Sequence, residues 1–567
     1  VNGDDARAGT ARDAAWRGFA PLRGKNLVAG DRVEVIAPGA LHHTLDVRGT
    51  GTAERPVEIH FAPGRYDFHP KHAHREAYQI SNTNDAPDAT KAVAIRIADS
   101  AHVRLSGPGA VVVQRGKAIH VCVDASRAIT VEGMAFDYQR PTVSEFTVTA
   151  ADAESVEITI HPDSAYTLAD GKITWQGEGW SETTGLAQEL DPASGRVRRM
   201  RDPLVGLVFE EAAPFRLRAR GAHKLAAGRI YQIRNPFRDC VGAFTRDSAE
   251  VTWCDVHFRF IHGMGMVSQF SENLTFERVR IAPDPASGRT TAAWADCIQA
   301  SGCRGKIVVR DCVFDGAHDD AINIHGTHLR VVETDREARR ARVRFMHKQT
   351  FGFMAFRAAD AVEFVHSDTL ATYGANEVTH AEMAGPHEMW LTLQKPLPDE
   401  FRENDVLENV TWTPAVEIRG CTVSRIPTRG FLLTTRQPVL VEDNDFHATQ
   451  MPATLIENDA MGWFESGCVR DLRIARNRFH HCGEPVIHIN PRNSAPNAAV
   501  HRDIRIEDNT FHLRGRMAIG AKSTTGLVIL GNTIHPSEPV EGDGWWKAED
   551  CADVVVRGNV VRAGSPP

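Results

Sequence analysis

No stretch of this 567-residue chain approaches 18 consecutive apolar residues, so no membrane span is expected. Positive charge is not in excess. The 65 basic and 73 acidic residues leave a net charge of −8, without the basic stripe that a nucleic-acid partner would want. The ten cysteines include no CxxC pair with a second partner pair, which argues against zinc or redox motifs. Buried, small, apolar thiols are the plainer reading. The first residue is Val1, so no targeting segment can be read. What is present is an ordinary globular composition, 42% hydrophobic and 24% charged. Length alone would suggest three or four domains, but a repeat fold escapes that expectation because a solenoid grows by adding coils.

Internal repetition is the strongest signal. An eight-residue phrase recurs in the C-terminal third: VLVEDNDF at 439–446, LRIARNRF at 472–479, IRIEDNTF at 504–511, LVILGNTI at 527–534 and VVVRGNVV at 554–561. Its asparagines, Asn444, Asn477, Asn509, Asn532 and Asn559, are spaced by 33, 32, 23 and 27 residues. Upstream the phrase continues with cysteine in that place (VEIRGCTV, IVVRDCVF), valine (LTFERVRI, VTWCDVHF) or methionine (ITVEGMAF). Alternation before the turn means strand, and an inward Asn at the turn can stack on the Asn of the next coil. The expected fold is all-β: a right-handed parallel β-helix with two inserted small antiparallel β-domains.

Two gaps in the phrase mark the insertions. The expected organisation is a cap and first coils at 1–140 and an inserted β-domain at 141–235. Coils carrying the catalytic acids follow at 236–327, then a second inserted β-domain at 328–411 and the C-terminal coils at 412–567. The segment ARDAAWRGFAPL near the N-terminus is expected to form a capping helix.

Two neighbouring coils carry the chemistry. WADCIQASG at 294–302 aligns with HDDAINIHG at 318–326 at an offset of 24, which sets Asp296 against Asp320, Ile298 against Ile322 and Gly302 against Gly326. Stacked strands lie roughly 4.8 Å apart, so Asp296, Asp319 and Asp320 should crowd together. Like charges that close push at least one carboxyl towards the protonated state. Glycoside hydrolysis needs such a pairing of a carboxylic acid with a carboxylate. The competing readings are an Asp pair that caps a turn and a calcium site, although no D-x-D-x-D-G loop surrounds these acids.

The phrases GAHDDAINIHGTHLRV, TWTPAVEIRG, IPTRGFLLTTRQPVLVEDNDF and MGWFESG together resemble glycoside hydrolase family 110, the α-1,3-galactosidases, over a span from about Trp253 to the C-terminus. The resemblance implies a parallel β-helix with inserted β-barrel domains. It implies release of terminal α-1,3-linked galactose from glycans, including the blood-group B determinant, with inversion and no cofactor. Asp296, Asp319 and Asp320 match the family's acidic positions. The arrangement also resembles polygalacturonases, and by that analogy Asp319 is the general acid while Asp296 and Asp320 hold and activate water.

Substrate-binding candidates surround the acids. Asn323 and His325 alternate with Ile322 and Ile324, so they should face away from the core. Arg429 in PTRGF could bond a sugar hydroxyl, with salt bridging as the competing reading. Trp463 and Glu465 in MGWFES could supply a stacking platform and an acceptor, although an aromatic is more often core. Gln349 in HKQTFGF should reach the cleft, while His347 and Lys348 read as ordinary surface. No metal ligands are expected.

Two other functions compete. One is another β-helix carbohydrase, a polygalacturonase-like hydrolase or polysaccharide lyase, which would want a basic pocket. The nearby His318, Asn323 and His325, with Arg304 and Lys306 a turn away, favour a neutral sugar. The other is a non-catalytic glycan-binding β-helix. A secreted or periplasmic location is expected from the chemistry, and flat flanks with protruding insertions suit a homodimer.

Overall fold

The computed structural model describes residues 3–83 and 90–562. Its core is a parallel β-helix whose coils stack into three long sheets. Within each phrase the first strand belongs to one sheet and the last residues to the next. Leu472 and Ile474 therefore lie in the first sheet and Phe479 in the second, all buried in one continuous apolar core. The bend between them is a residue of left-handed backbone placed just before the Asn position. Asp443, Arg476 and Asp508 have φ of 57°, 54° and 56°, and Gly420, Gly531 and Gly558 occupy the same place in other coils. Glycine and short polar residues tolerate that region best, which explains the small or polar pair in the phrase.

The asparagines do stack. Nδ2 of Asn444, Asn477, Asn509 and Asn532 each donates to Oδ1 of the next Asn at 2.9–3.0 Å. Each of those same Oδ1 atoms also accepts the preceding coil's backbone N–H, as in Asn444 N to Asn477 Oδ1 at 3.0 Å. The buried amides are thus satisfied along the axis of the solenoid. Phe446, Phe479 and Phe511 stack beside them at 4.9–5.0 Å between ring centroids.

The first gap folds as a seven-stranded antiparallel sheet with a three-stranded sheet beside it, around its own core of Phe146, Ile158, Trp175 and Leu217. The second closes as an antiparallel barrel of six strands, Ile322–Asp335, Arg340–Arg344, Ala361–Val365, Thr372–Gly385, Glu388–Leu393 and Val406–Asn409. Its first strand starts inside the solenoid, where Ile322–Ile324 pair with neighbouring coils, and runs unbroken into the barrel. The barrel is therefore tied rigidly to the coil that carries the acids.

The expected N-terminal helix does not form. Arg12–Ala14 and Ala20–Leu22 are single 3-10 turns, because Gly18 and Pro21 interrupt any longer helix. The segment nonetheless seats Trp16, Phe19 and Leu22 on the core. Eight of the ten cysteines are buried and none is bridged. Among the described residues no helix is long and apolar enough to cross a membrane.

Candidate active site

The acids sit at the start of two paired strands of the third sheet. Ile298–Ser301 pairs with Ile322–Ile324 and His325 in the register Ile298 to Ile322, an offset of 24. Ile298, Ala300, Ile322 and Ile324 point into the core. Asp296 and Asp320 therefore stack one above the other, and the Asp320 N–H donates to Asp296 Oδ1 at 3.2 Å. One carboxylate oxygen from each of Asp296, Asp319 and Asp320 lies within 4.8 Å of the others. Asp296 and Asp320 are buried, and Asp319 is the partly exposed member.

Three arginines divide the trio. Arg199 Nη2 lies 3.0 Å from Asp319 Oδ1, and Arg238 Nη2 lies 3.1 Å from Asp319 Oδ2. Arg429 Nη2 is 2.7 Å from Asp320 Oδ2, and its backbone N–H donates to Asp320 Oδ1 at 3.0 Å. Among the described residues no arginine stands within ion-pair distance of Asp296. Burial, then the charges of Asp319 and Asp320, raise its pKa well above the usual carboxylate range. Burial also lifts Asp320, to about 6, against the opposing pull of Arg429. For Asp319, burial pushes upward but is outweighed by Arg199, Arg238 and Arg429, and the pKa falls. The free site thus holds one firmly ionised carboxylate and two that retain a proton more readily.

The structure places each residue singled out in the sequence. Asn323 and His325 do face away from the core, but they are buried under other elements rather than lying on an open strand. Glu465 accepts from Asn82 Nδ2 at 3.0 Å and from Asn323 Nδ2 at 3.4 Å, and lies 3.6 Å from His325 Nε2. His325 Nδ1 is held on the Gly326 carbonyl at 2.7 Å, and its Nε2 meets Gln299 at 3.0 Å. Oδ1 of Asn323 and Oε1 of Gln299 are buried with no protein partner. Polar atoms in that condition call for a bound partner such as a hydroxyl. Trp463, two residues before Glu465, is 38% exposed. Its loop is tied down by Asp459, which accepts from Met461 N at 2.7 Å and Gly462 N at 2.9 Å.

Gln349 is half-buried, and its carbonyl accepts the Thr83 N–H at 3.1 Å. Lys348 is exposed, as expected of surface. His347 is not ordinary surface. Its ring packs on Trp463 with centroids 4.0 Å apart, and burial lowers its pKa. Arg429 is engaged with Asp320, so both sequence readings of it concern one place.

Sequence reasoning missed Arg199, Arg238, Asn82 and Glu457. Arg199 comes from Val197–Met200 of the first insertion. Arg238 lies over Trp294, two residues before Asp296, with its guanidinium carbon 5.7 Å from the ring. Glu457, paired with Arg492, has a pKa raised by burial and by Glu465. No spacing rule links these residues to the acids, although the run RVRRM at 196–200 marked a cationic strand. Arg304 and Lys306, named in the sequence as the nearby cations, pair instead with Glu272 and Glu417, and the cations at the trio are Arg199, Arg238 and Arg429. Arg199 and Arg238 share Asp319, and Arg429 pairs with Asp320.

Comparison with known proteins agrees with this architecture. Residues 144–231 match the family model described as GLAA-B beta-barrel domain I, and residues 340–407 match GLAA-B beta-barrel domain II. The chain is 44% identical over 539 residues to a protein of Akkermansia muciniphila named alpha-1,3-galactosidase A, covering 94% of this chain and 90% of that one. It is 38% identical to a Bacteroides thetaiotaomicron protein of the same name, covering 94% and 95%. A Streptomyces avermitilis protein so named is 34% identical, covering 86% and 83%. Among solved structures, a family 28 exopolygalacturonase of Yersinia enterocolitica shares 10% identity at a TM-score of 0.37, covering 88% of this chain and 73% of that one. That likeness is too loose to bear on function.

Proposed function

Because the chain belongs to the alpha-1,3-galactosidase A family, we propose that it is an exo-acting glycoside hydrolase releasing terminal α-1,3-linked galactose from glycans. The observation that carries this reading is the stack of Asp296 on Asp320 beside Asp319, three carboxyls within 4.8 Å whose pKa values burial and the flanking arginines drive in opposite directions. Glycosidic cleavage asks for that division: one group protonates the leaving oxygen, and another, ionised, takes a proton from water.

The resemblance to glycoside hydrolase family 110 supports inversion and a blood-group B type substrate. Spacing alone does not select inversion. Oxygens within 4.8 Å are closer than the ~6.5–9.5 Å of inverting pairs or the ~5–5.5 Å of retaining ones. In the proposed division of labour Asp320, steadied by Arg429, takes the proton of a water that Asp296 helps to hold. Asp319 delivers the proton to the leaving oxygen. Asp319 is ionised in the free site, so this role needs a change when substrate enters. Arg199, whose side chain is 43% exposed, is the guanidinium a glycan would displace. Loss of Arg199 removes the largest of the guanidinium charges that hold the Asp319 pKa down and moves it towards protonation, against the remaining pull of Arg238 and Arg429. Asn323, His325, Gln349, Trp463 and Glu465 are proposed to receive the sugar. A location in the periplasm or outside the cell fits glycan substrates.

The test is galactose release from an α-1,3-galactosyl disaccharide and from a branched B-type oligosaccharide, with α-1,4- and α-1,6-linked galactosides as controls. Release from the α-1,3 substrates alone supports the reading. Release from none of them, or from a polyuronide instead, overturns it.

A further inference from the structure

The outer face of the second sheet carries a column of imidazoles that the proposed reaction does not use. Asp445–His447 pairs with Arg478–His480 on the next coil, and the register continues to His512 and His535. Phe446 and Phe479 point inward, so Asp445, His447 and His480 point out. The rings of His447 and His480 stack at 4.7 Å and are parallel within 4°. His512 and His535 extend the column at 5.0 and 4.7 Å.

We propose that Asp445, His447 and His480 form a site for a divalent transition-metal ion of the zinc class. Asp445 Oδ1 lies 3.0 Å from His447 Nε2 and 3.3 Å from His480 Nε2. Those are hydrogen-bond distances, yet Oδ1 is buried and no hydrogen bond reaches it with acceptable geometry. Two imidazole nitrogens that converge on one carboxylate oxygen lacking a hydrogen bond are arranged as ligands around a common point. Metal–nitrogen and metal–oxygen bonds of about 2.0–2.2 Å in a tetrahedron set ligand atoms roughly 3.3 Å apart, the spacing seen from Oδ1 to each nitrogen. The three atoms all lie within 4.8 Å of one another, so the two nitrogens close on an ion by small side-chain rotations.

Two imidazoles and one carboxylate suit zinc, copper or nickel better than calcium or magnesium. His447 is 45% exposed and His480 31%, so water can fill a fourth position. Arg478 donates to the other carboxylate oxygen, Oδ2, at 2.7 Å and so keeps Oδ1 turned towards the imidazoles. The site escapes a linear motif search because its ligands come from two coils with 33 residues between equivalent positions.

The test uses the full chain stripped with a chelator and titrated with zinc sulfate, beside His480→Gln and Asp445→Asn. The expected result is one equivalent bound with a micromolar or tighter Kd. Each substitution should weaken it at least tenfold, and zinc should raise the Tm of the parent only. Copper(II) EPR of the parent should show coupling to two nitrogen donors, a readout that does not depend on the variants folding. No uptake by the parent, uptake unchanged in both variants, or fewer than two coupled nitrogens would overturn the proposal.

Discussion

The C-terminal coils and the coils at 294–326 use the same geometry to opposite ends. Both set equivalent residues one above another at the strand spacing, roughly 4.8 Å. In the C-terminal coils the repeated residue is Asn, and each amide donates to the next, so the stack satisfies itself. In the central coils the repeated residue is Asp, and stacking Asp296 on Asp320 brings like charges together away from water. The amide column stabilises the solenoid. The acid column costs stability and gains reactivity, because proximity and burial keep a proton on groups that would otherwise lose it.

This contrast predicts which substitutions separate activity from stability. The largest effect falls on the acids. Asp319→Asn and Asp320→Asn should each lower kcat/KM by about 10²–10⁴, the usual worth of a positioned acid or base. Galactose release with folding checked by circular dichroism measures it. Next comes the amide column. Asn477→Ala leaves the Asn444 N–H and Nδ2 without their acceptor, and should cost about 3 kcal/mol of stability with kcat unchanged. Denaturation midpoints beside kinetics decide this, and a loss of activity without a loss of stability would break the contrast.

The third effect is on pH dependence. The proposed base, Asp320, must be ionised, so kcat/KM should rise with pH through about 6. Arg429→Gln removes the charge that pulls this pKa down and should move the acidic limb upward by about one pH unit. The same raised pKa affects folding. Between the ordinary carboxylate range and about 6 the folded protein holds the proton more tightly than the unfolded chain, so stability falls as pH rises through that window. Asp320→Asn should flatten that slope in Tm against pH. The smallest effect is at Arg199. Being partly exposed, its replacement by Gln should change kcat/KM less than tenfold, chiefly by raising the pKa of Asp319.

Much of this was legible in the chain because a solenoid turns sequence spacing into spatial stacking. The offset of 24 that aligns Asp296 with Asp320 is the register of the paired strands, and the spaced asparagines are the amide column. What stayed hidden comes from elsewhere in the chain. Arg199, Asn82 and His347 reach Asp319, Glu465 and Trp463 from the first insertion, an N-terminal segment and the second insertion. No periodicity relates those segments to the acids. The supposed capping helix failed for a local reason: Gly18 and Pro21 lay inside the segment and outweigh its helix-forming residues.

The most direct test of the central claim is proton NMR of the anomeric signals from the first minutes of turnover of a terminal α-1,3-galactosyl disaccharide, run beside Asp319→Asn. The account predicts β-galactose first, with the variant slower by about 10²–10⁴. Appearance of α-galactose first, or turnover by the variant at the parent's rate, would contradict it.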